Sequence, residues 1–297
     1  MRSLIAPVAA LLLLTAGCAP ARSGTLGPAP VAPTTRTPPA ATAPRTPSPA
    51  ASPGRPTPTP PAAPASTAAP GPGDTVTVQL WFTRAGRLVP TRRTLPATPA
   101  TSRLALTELA AGPTLAETAA GMTSLVPPGV QVSRIADRIA TLVPPTSFDT
   151  GGASAARLRR AQVVWTLTQF PTVRRVAFAS TDTAPADRAD YADLLPPIVV
   201  TGPAVGDRVS SPITVTGTAN VFEATVSVRV LDSAGREIGT AFTIATCGSG
   251  CRGDYRVAVR YRRAAPGPGT IEVYEVSAQD GSRINSVAVP VVLAASG

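Results

Sequence analysis

Apolar and polar residues alternate between residues 75 and 82, with an apolar residue at every second position from Val76 to Phe82. Because successive side chains of a strand point to opposite faces, this period of two predicts a half-buried β-strand. Trp81 falls on the opposite, more polar face. The folded part of the chain is therefore expected to begin near Asp74.

Further periodic stretches follow up to residue 183 and predict two helices and four more strands. The first is a return strand over 88–93, followed by a helix that is capped by Ser102 and ends at Gly112 and Pro113. Two strands, over 130–135 and 139–143, are expected around a turn at Asp137-Arg138. A second helix is expected over about 153–170, with Leu158, Ala161, Trp165 and Thr168 on one face, and a last strand over 173–179. The order ββαββαβ predicts an α+β domain over residues 74–183, with helices on a mixed sheet.

From residue 198 the pattern changes to short alternating runs separated by glycine, proline and aspartate. Seven strands are predicted, over residues 198–201, 213–217, 224–231, 238–245, 255–261, 270–277 and 286–293. Seven short strands in about 100 residues are typical of a two-sheet sandwich. We therefore expect residues 196–294 to form an all-β, immunoglobulin-like sandwich with Greek-key connections.

The segment between the two predicted domains, residues 184–195, carries Asp187, Asp190 and Asp193 around Tyr191. A calcium loop is conceivable from clustered carboxylates, but the spacing matches no ligand pattern. A solvated interdomain linker is the preferred interpretation.

A short apolar run, residues 4–14, follows Arg2 at the N-terminus. It has about half of the roughly 20 residues that cross a bilayer, which predicts a signal peptide over residues 1–18. The small residues before Cys18 resemble the lipobox of bacterial lipoproteins. That resemblance implies a diacylglyceryl group, with acyl chains such as palmitate, on the Cys18 thiol after cleavage. Plain secretion and an uncleaved anchor are the alternatives.

Residues 19–73 consist almost entirely of proline, alanine, threonine, serine and glycine, with four arginines and no acidic residue. Such a segment has too few apolar side chains to offset the entropy of ordering. It predicts a disordered, proline-rich stalk that would reach about 170 Å if fully extended. Its threonine and proline content would also suit O-glycosylation.

The net charge of +10 is unevenly distributed, and every basic residue is arginine. Residues 74–183 carry twelve arginines against six acids, whereas residues 184–297 carry ten against eleven. A coding bias explains the arginine content most simply. A basic middle domain that faces anionic lipid or wall polymer is the alternative, and an exported location disfavours nucleic acid as a partner.

Apart from Cys18, the chain contains two cysteines, Cys247 and Cys251. A pair of cysteines in an oxidising compartment predicts a disulfide, and the glycines between them allow a tight turn. Two cysteines without histidine fall short of four zinc ligands. We expect a structural disulfide and no metal site.

The first predicted domain resembles the GerMN domain of sporulation and spore-germination proteins. The matching stretches are VQLWF (78–82), ELAAGP (108–113), LVPPGV (125–130) and, most specifically, QVVWTLTQFP (162–171). At Asp137-Arg138 the chain departs from the family, which usually has a glycine-containing hairpin turn.

The second predicted domain resembles the immunoglobulin-like domain of bacterial spore germination. The matching stretches are SPITVTGTANVFEA (211–224) and VYEVSAQDGS (273–282). This family often follows a GerMN domain in exported proteins, so the order agrees as well. The Cys247–Cys251 pair is not part of the family pattern.

Missing residue types restrict the possible chemistry. Without histidine or lysine the chain has no Ser-His-Asp triad, no Ser-Lys dyad and no phosphate-loop lysine. A pair of carboxylates, as glycoside hydrolases use, remains possible, but the sequence brings no two acids together on one face. The acids of the first domain are scattered: Glu108, Glu117, Asp137 and Asp149. Glu272 and Glu275 are three residues apart on one predicted strand and therefore point to opposite faces. Glu223, after an apparently buried Phe222, is interpreted as a structural or contact residue. We expect no catalytic residue and no cofactor.

The sequence therefore predicts a membrane-tethered, non-catalytic protein on the extracytoplasmic face of a bacterial membrane, which binds an envelope protein or wall polymer. The alternative is a solute or signal receptor accessory to a sensor kinase, a role that the GerMN resemblance also implies. A closed pocket with converging polar groups would favour that alternative. A peptidoglycan hydrolase is the third hypothesis.

Overall fold

The computed structural model describes residue 71, residues 73–179 and residues 184–296. The predicted signal peptide, Cys18 and nearly all of the predicted stalk lie outside these residues. No helix within the described ranges is long and apolar enough to cross a bilayer.

The first domain contains three helices and five strands. They are β1 (Thr75–Arg84), β2 (Arg87–Pro96), α1 (Thr101–Ala111), α2 (Leu115–Ala119), β3 (Gln131–Ala136), β4 (Ile139–Val143), α3 (Gly152–Leu167) and β5 (Arg175–Phe178), with a 3₁₀ helix over Thr146–Asp149. The predicted mixed sheet is present only in part, because the five strands form two separate sheets. β1 and β2 form an antiparallel hairpin of their own, and β4 pairs antiparallel with β3 and parallel with β5 in a second sheet.

Strand β1 is buried on both faces rather than half-buried, since Trp81 on its predicted polar face is only 3% exposed. Trp81 packs against Trp165 of α3, with ring centroids 4.6 Å apart. On the same side, Gln169 accepts a hydrogen bond from the Gln79 amide at 2.8 Å and donates one to the Gln79 carbonyl at 2.7 Å. Side chains of α3 and of the residues just after it thus contact the edge of β1 that does not pair with β2.

The predicted helices are present, but their details differ. Helix α1 begins at Thr101 after Ala100, so Ser102 lies inside the helix and is not its cap. The expected apolar stripe of α3 is incomplete: Ala161 is buried, whereas Leu158, Trp165 and Thr168 are only partly buried. The helix is instead enclosed on most sides between Ala161 and Leu167, because it packs on β1 and on α1 together.

The turn between β3 and β4 consists of Asp137 and Arg138, as predicted. Both residues have positive φ, 51° and 60°. Two consecutive residues in this region are required by the type I′ turns that match the twist of a hairpin. The chain therefore forms a tight hairpin here without glycine.

The second domain contains eight strands. They are β6 (Ile198–Gly202), β7 (Arg208–Val209), β8 (Ile213–Ala219), β9 (Thr225–Asp232), β10 (Glu237–Ile244), β11 (Gly253–Val259), β12 (Gly267–Val276) and β13 (Arg283–Leu293). One sheet has the order β10-β9-β12-β13-β7 and the other the order β11-β8-β6, and residues of both contribute to one core. The two-residue strand β7, parallel to the end of β13, was too short to be predicted.

Strand β6 contributes to both cores. Ile198 and Val200 belong to the core of the second domain, whereas Val199, 2% exposed, belongs to the core of the first. A strand is buried on both faces only where apolar layers cover both sides. The described residues lie within one compact unit, and β6 is the element that the two domains share.

The segment before β6, residues 184–195, was predicted to be a solvated linker, but part of it packs on the first domain. Tyr191 and Leu195 are 8% and 6% exposed and belong to the core of the first domain. A 3₁₀ helix over Ala189–Leu194 holds them there, and Asp193 pairs with Arg157 of α3 at 2.7 Å.

Candidate functional site

Of the predicted site residues, Cys18 lies outside the described part of the chain. Cys247 and Cys251 are joined by a disulfide in the connection between β10 and β11, with Cα atoms 5.7 Å apart. The bridge closes a short loop at the domain surface.

The structure brings Glu108 and Glu117 to the same guanidinium, which the sequence did not indicate. Arg93 of β2 lies 2.5 Å from a Glu117 carboxylate oxygen and 3.6 Å from one of Glu108. Glu117 also accepts hydrogen bonds from the Thr91 hydroxyl at 2.6 Å and the Thr114 amide at 2.7 Å. Both carboxylates thus face one cation, and that of Glu117 is further held by two hydrogen bonds.

Glu117 is a structural residue of α2. Burial alone would raise its pKa, but the hydrogen bonds from Thr91 and Thr114 and the charge of Arg93 outweigh burial and lower the pKa of this carboxyl below its ordinary value. Thr114 and Glu117 form a reciprocal capping box. The Thr-x-x-Glu spacing is a recognised signal for such a helix start, and α2 could have been predicted from it.

The two acids of β12 point to opposite faces, as predicted. Glu272 lies on the outer face and pairs with Arg229, whereas Glu275 is 7% exposed and accepts hydrogen bonds from Asn285 at 2.7 Å and from the Phe222 amide at 2.8 Å. The interpretation of Phe222 as buried is wrong, because its side chain is 54% exposed. It lies in the 3₁₀ turn Phe222–Ala224, of which Ala224 is the buried residue.

Histidine, cysteine and acidic side chains form no group of three or more that could hold a metal ion within residues 73–179 and 184–296. Asp187 and Asp190 instead bond to nearby main-chain amides, and Asp193 pairs with Arg157. The structure therefore gives the aspartates of this segment turn and ion-pair roles.

An exposed apolar surface lies on the outer side of the five-stranded sheet. Phe242 and Ile244 of β10 are 71% and 68% exposed, and Val276 of β12 is 46% exposed. Phe242 and Tyr274 lie in one row across three strands, since both are opposite Ser227 of β9. We call Phe242, Ile244, Tyr274 and Val276 the outer apolar face.

Charged residues border this face. Arg229 and Glu272 pair in the row next to Phe242 and Tyr274, and Arg283 stacks over the Tyr274 ring with its guanidinium carbon 5.5 Å from the centroid. Apolar residues inside a polar rim are typical of a protein-binding surface.

A cavity of about 260 Å³ lies between the two domains, and we call it the interdomain cleft. One side is the β1–β2 hairpin from Arg84 to Pro90 together with Met122. The other side is formed by residues 196–200, 203–205 and 285–289 of the second domain. Ligand pockets are common at domain interfaces, so this cleft is the main candidate for a small-molecule site.

Two arginines of the hairpin line the cleft. Arg84 is half-buried, and burial lowers its pKa. Its guanidinium donates one long hydrogen bond, 3.4 Å, to the carbonyl of Ala288. Arg87 is exposed and donates to the carbonyl of Asp193. Among the described residues that line the cleft, none is acidic.

Neither the outer apolar face nor the cleft was predicted from the sequence. The apolar residues Phe242 and Ile244 alternate with Ala241 and Thr243, and only the fold decides which set faces the core. Arg84 and Ala288 are 204 residues apart, so no local pattern links them.

Comparisons with known proteins find two family models. Residues 73–182 match the model described as sporulation and spore germination, and residues 197–282 match the immunoglobulin-like domain of bacterial spore germination. A search of curated proteins gives no match.

Among solved structures, the first GerMN domain of the sporulation protein GerM from Bacillus subtilis is 23% identical, over 37% of this chain and 86% of that chain, with a TM-score of 0.32. The tandem GerMN domains of the same protein are 14% identical over 75% of this chain, with a TM-score of 0.34, and the chain spans 62% of their length. CopC from Methylosinus trichosporium OB3b is 16% identical over 34% of this chain and 96% of that chain, with a TM-score of 0.23.

Proposed function

Because this chain carries a GerMN-like domain followed by an immunoglobulin-like domain of bacterial spore germination, we propose that it is a non-catalytic binding protein of the cell envelope. Its lipid anchor would be Cys18, which places both domains on the extracytoplasmic side of the membrane. Its partner would be another envelope protein.

The outer apolar face is the observation that carries this proposal. Three of its side chains expose about half or more of their surface, and Phe242 lies on β10, the edge strand of its sheet. Exposed aromatic and aliphatic side chains grouped within a polar rim are the anchors that protein partners bury.

Crosslinking of the tethered protein in living cells, followed by identification of the partner, tests the proposal. We expect Phe242→Ser combined with Ile244→Ser to reduce the crosslinked species at least about tenfold, because truncated aromatic anchors cost on the order of 2 kcal/mol or more. Leu115→Ser is the matched control, since Leu115 is 92% exposed but lies on the first domain. Equal crosslinking by the double variant and the wild type would refute this role of the face.

The anchor is tested separately. We expect Cys18→Ser to release the protein from the membrane fraction, since no acyl chain could then form at this position. Unchanged membrane association of the variant would exclude a thiol-linked anchor.

A second candidate function, a solute or signal receptor, is supported by the interdomain cleft. The cleft is slightly smaller than the roughly 300–1,000 Å³ of most ligand pockets, but it is mainly apolar and contains two cationic side chains. Such a receptor would act as an accessory to a sensor kinase or a similar membrane protein. Direct ligand binding, described below, distinguishes it from a purely structural crevice.

A further inference from the structure

We propose that the interdomain cleft binds a carboxylate attached to an apolar group, with Arg84 as the partner of the anion. This inference rests on the receptor function proposed above and is independent of the outer apolar face. The ligand is either a free medium-chain carboxylate or the apolar C-terminal residue of a peptide, which share this chemistry.

The charge of the cleft determines the sign of its ligand. Arg84 and Arg87 contribute two positive charges, and the described lining residues contribute no negative charge. Asp193, which contacts Arg87, directs its carboxylate to Arg157 and offers Arg87 only its main-chain carbonyl. An anion is therefore the complementary occupant.

The environment of Arg84 identifies it as the binding group. A guanidinium has five N–H donors, and that of Arg84 makes one long hydrogen bond, to the Ala288 carbonyl. No carboxylate pairs with it within residues 73–179 and 184–296. A half-buried cation with free donors is unfavourable alone, and a bidentate carboxylate would supply both the charge and the acceptors.

The walls of the cleft determine the rest of the ligand. They are mainly aliphatic and include Leu88, Val89, Met122, Val205, Val287 and Val289. A volume of about 260 Å³, slightly below the range of most ligand pockets, limits the apolar group to a single aliphatic chain or side chain.

The stem of Arg84 is held in place by the first domain. A Cβ atom on Gly121 would lie 3.7 Å from both Cγ and Cδ of Arg84, so the arginine stem lies directly over this glycine. The aliphatic part of an arginine often packs in this way while its charged end faces a partner. The guanidinium is thus positioned before a ligand arrives.

Equilibrium dialysis of the purified full-length chain tests the inference, with octanoate as the probe and 1-octanol as its uncharged counterpart. We expect octanoate to bind at least about tenfold more tightly than octanol, because a charge-assisted hydrogen bond to arginine adds to the same apolar contact. N-acetyl-leucine is the probe for a peptide terminus, and the tighter of the two carboxylates identifies the source of the ligand.

Variants test the residues. Arg84→Gln should reduce octanoate affinity to that of octanol and leave octanol binding unchanged. Arg103→Gln, an exposed arginine of α1 away from the cleft, should change neither. Ala288 is exposed on β13 and lines the cleft. Ala288→Leu should therefore weaken the binding of octanoate and of octanol alike, because the larger side chain takes up space in the cleft. A thermal melt of each variant confirms that it is folded.

The outcomes separate the two proposals. If octanol binds as tightly as octanoate and Arg84→Gln has no effect, the receptor function stands and the carboxylate inference is overturned. If no probe binds the wild-type chain, both the receptor function and the inference are overturned. If Arg103→Gln weakens octanoate binding as much as Arg84→Gln does, the effect is not specific to Arg84, and its proposed role is also overturned.

Discussion

Gln162 donates a hydrogen bond from its side-chain Nε2 to the main-chain carbonyl of Trp81, 3.0 Å away and 81 residues earlier in the chain. Its Oε1 accepts from the Leu125 amide at 2.9 Å, and Thr166, one turn later, accepts from the Trp81 amide at 3.1 Å. Gln162 and Thr166 of α3, with Gln169 just after its end, together bond to the edge of β1 that does not pair with β2. The GerMN motif residues in this helix therefore protect an open sheet edge.

Replacement of Gln162 by leucine should destabilise the first domain. The substitution leaves the Trp81 carbonyl and the Leu125 amide without partners, and each such group costs about 1–3 kcal/mol when buried. We expect the free energy of unfolding to fall by about 3 kcal/mol, measured by chemical denaturation. Gln131→Leu, at an exposed site in β3, is the control, and an equal effect of the two substitutions would contradict this role of Gln162.

Replacement of Gly217 by alanine should be at least as damaging. Gly217 lies in β8, between β6 and β11, and a Cβ atom there would overlap the Val199 carbonyl oxygen and lie 2.5 Å from the Tyr255 hydroxyl oxygen. That hydroxyl donates to the Val199 carbonyl at 3.2 Å. We expect a loss of roughly 3 kcal/mol in denaturation experiments, since overpacking of a core costs on this order.

Gly71→Ala is the control for this substitution, because its Cβ atom would make an ordinary contact of 3.5 Å with Asp74. A Gly217→Ala protein as stable as the wild type would show that β8 can move away from Tyr255.

The stability of the protein should decrease at acidic pH because of Glu117. Its pKa is lower in the folded chain than in the unfolded chain, so its contribution is complete above the unfolded value of about 4.3 and is lost as the pH falls through the folded value. Glu117→Gln should therefore flatten the dependence of the unfolding free energy on pH between about 5 and 3. At neutral pH the Glu117→Gln substitution should lower the free energy of unfolding by about 3 kcal/mol, because Arg93 loses its close partner.

Glu223→Gln tests whether this effect is specific, since Glu223 is exposed. Denaturation curves recorded at several pH values supply the comparison. A Glu117→Gln protein with the same pH dependence as the wild type would rule out Glu117 as the titrating group.

Both domains should unfold in one transition. Val199 of β6 belongs to the first core, and its neighbours Ile198 and Val200 belong to the second. We expect Val199→Ala to lower the free energy of unfolding by roughly 2 kcal/mol and to lower the denaturation midpoints of both domains equally. Tryptophan fluorescence reports the first domain, which contains Trp81 and Trp165, and hydrogen exchange of β9 amides reports the second. Two separate midpoints would contradict this coupling.

Reduction of the disulfide should have a small, local effect. A loop as short as the one between Cys247 and Cys251 loses little entropy on closure, so the bridge contributes on the order of 2 kcal/mol. We expect the Cys247→Ala, Cys251→Ala double variant to remain folded, with increased hydrogen exchange confined to this loop. Global unfolding of the variant would show that the bridge supports the core of the sandwich.

The sequence predicted elements well where one face of a strand is buried and the other is solvated. In β9 the buried positions Val226, Val228 and Val230 alternate with partly exposed ones, which is the alternation that predicts a half-buried strand. It failed for β1, where α3 covers the second face and turns the polar residues there into buried ones. Burial by a distant element leaves no local periodicity.

The outer apolar face shows a related limit. On β10 the small Ala241 packs on the core and the bulky Phe242 faces outward. Nearby, a Cβ atom on Gly239 would overlap the main-chain carbonyl oxygen of Arg260 and lie 3.1 Å from Cβ of Tyr261, so the chain after β11 approaches β10 too closely at this one position for any side chain. That approach depends on packing between sheets, which local sequence does not encode.

Because β6 presents Val199 to one core and Val200 to the other, the domains have no hinge at this strand. Any rotation that widened or narrowed the interdomain cleft would expose one of these side chains to water. The cleft should therefore be rigid, with a fixed width in the folded protein. A ligand would be selected by its dimensions, and the protein would signal its arrival through changed surface charge at Arg84 and not through domain closure.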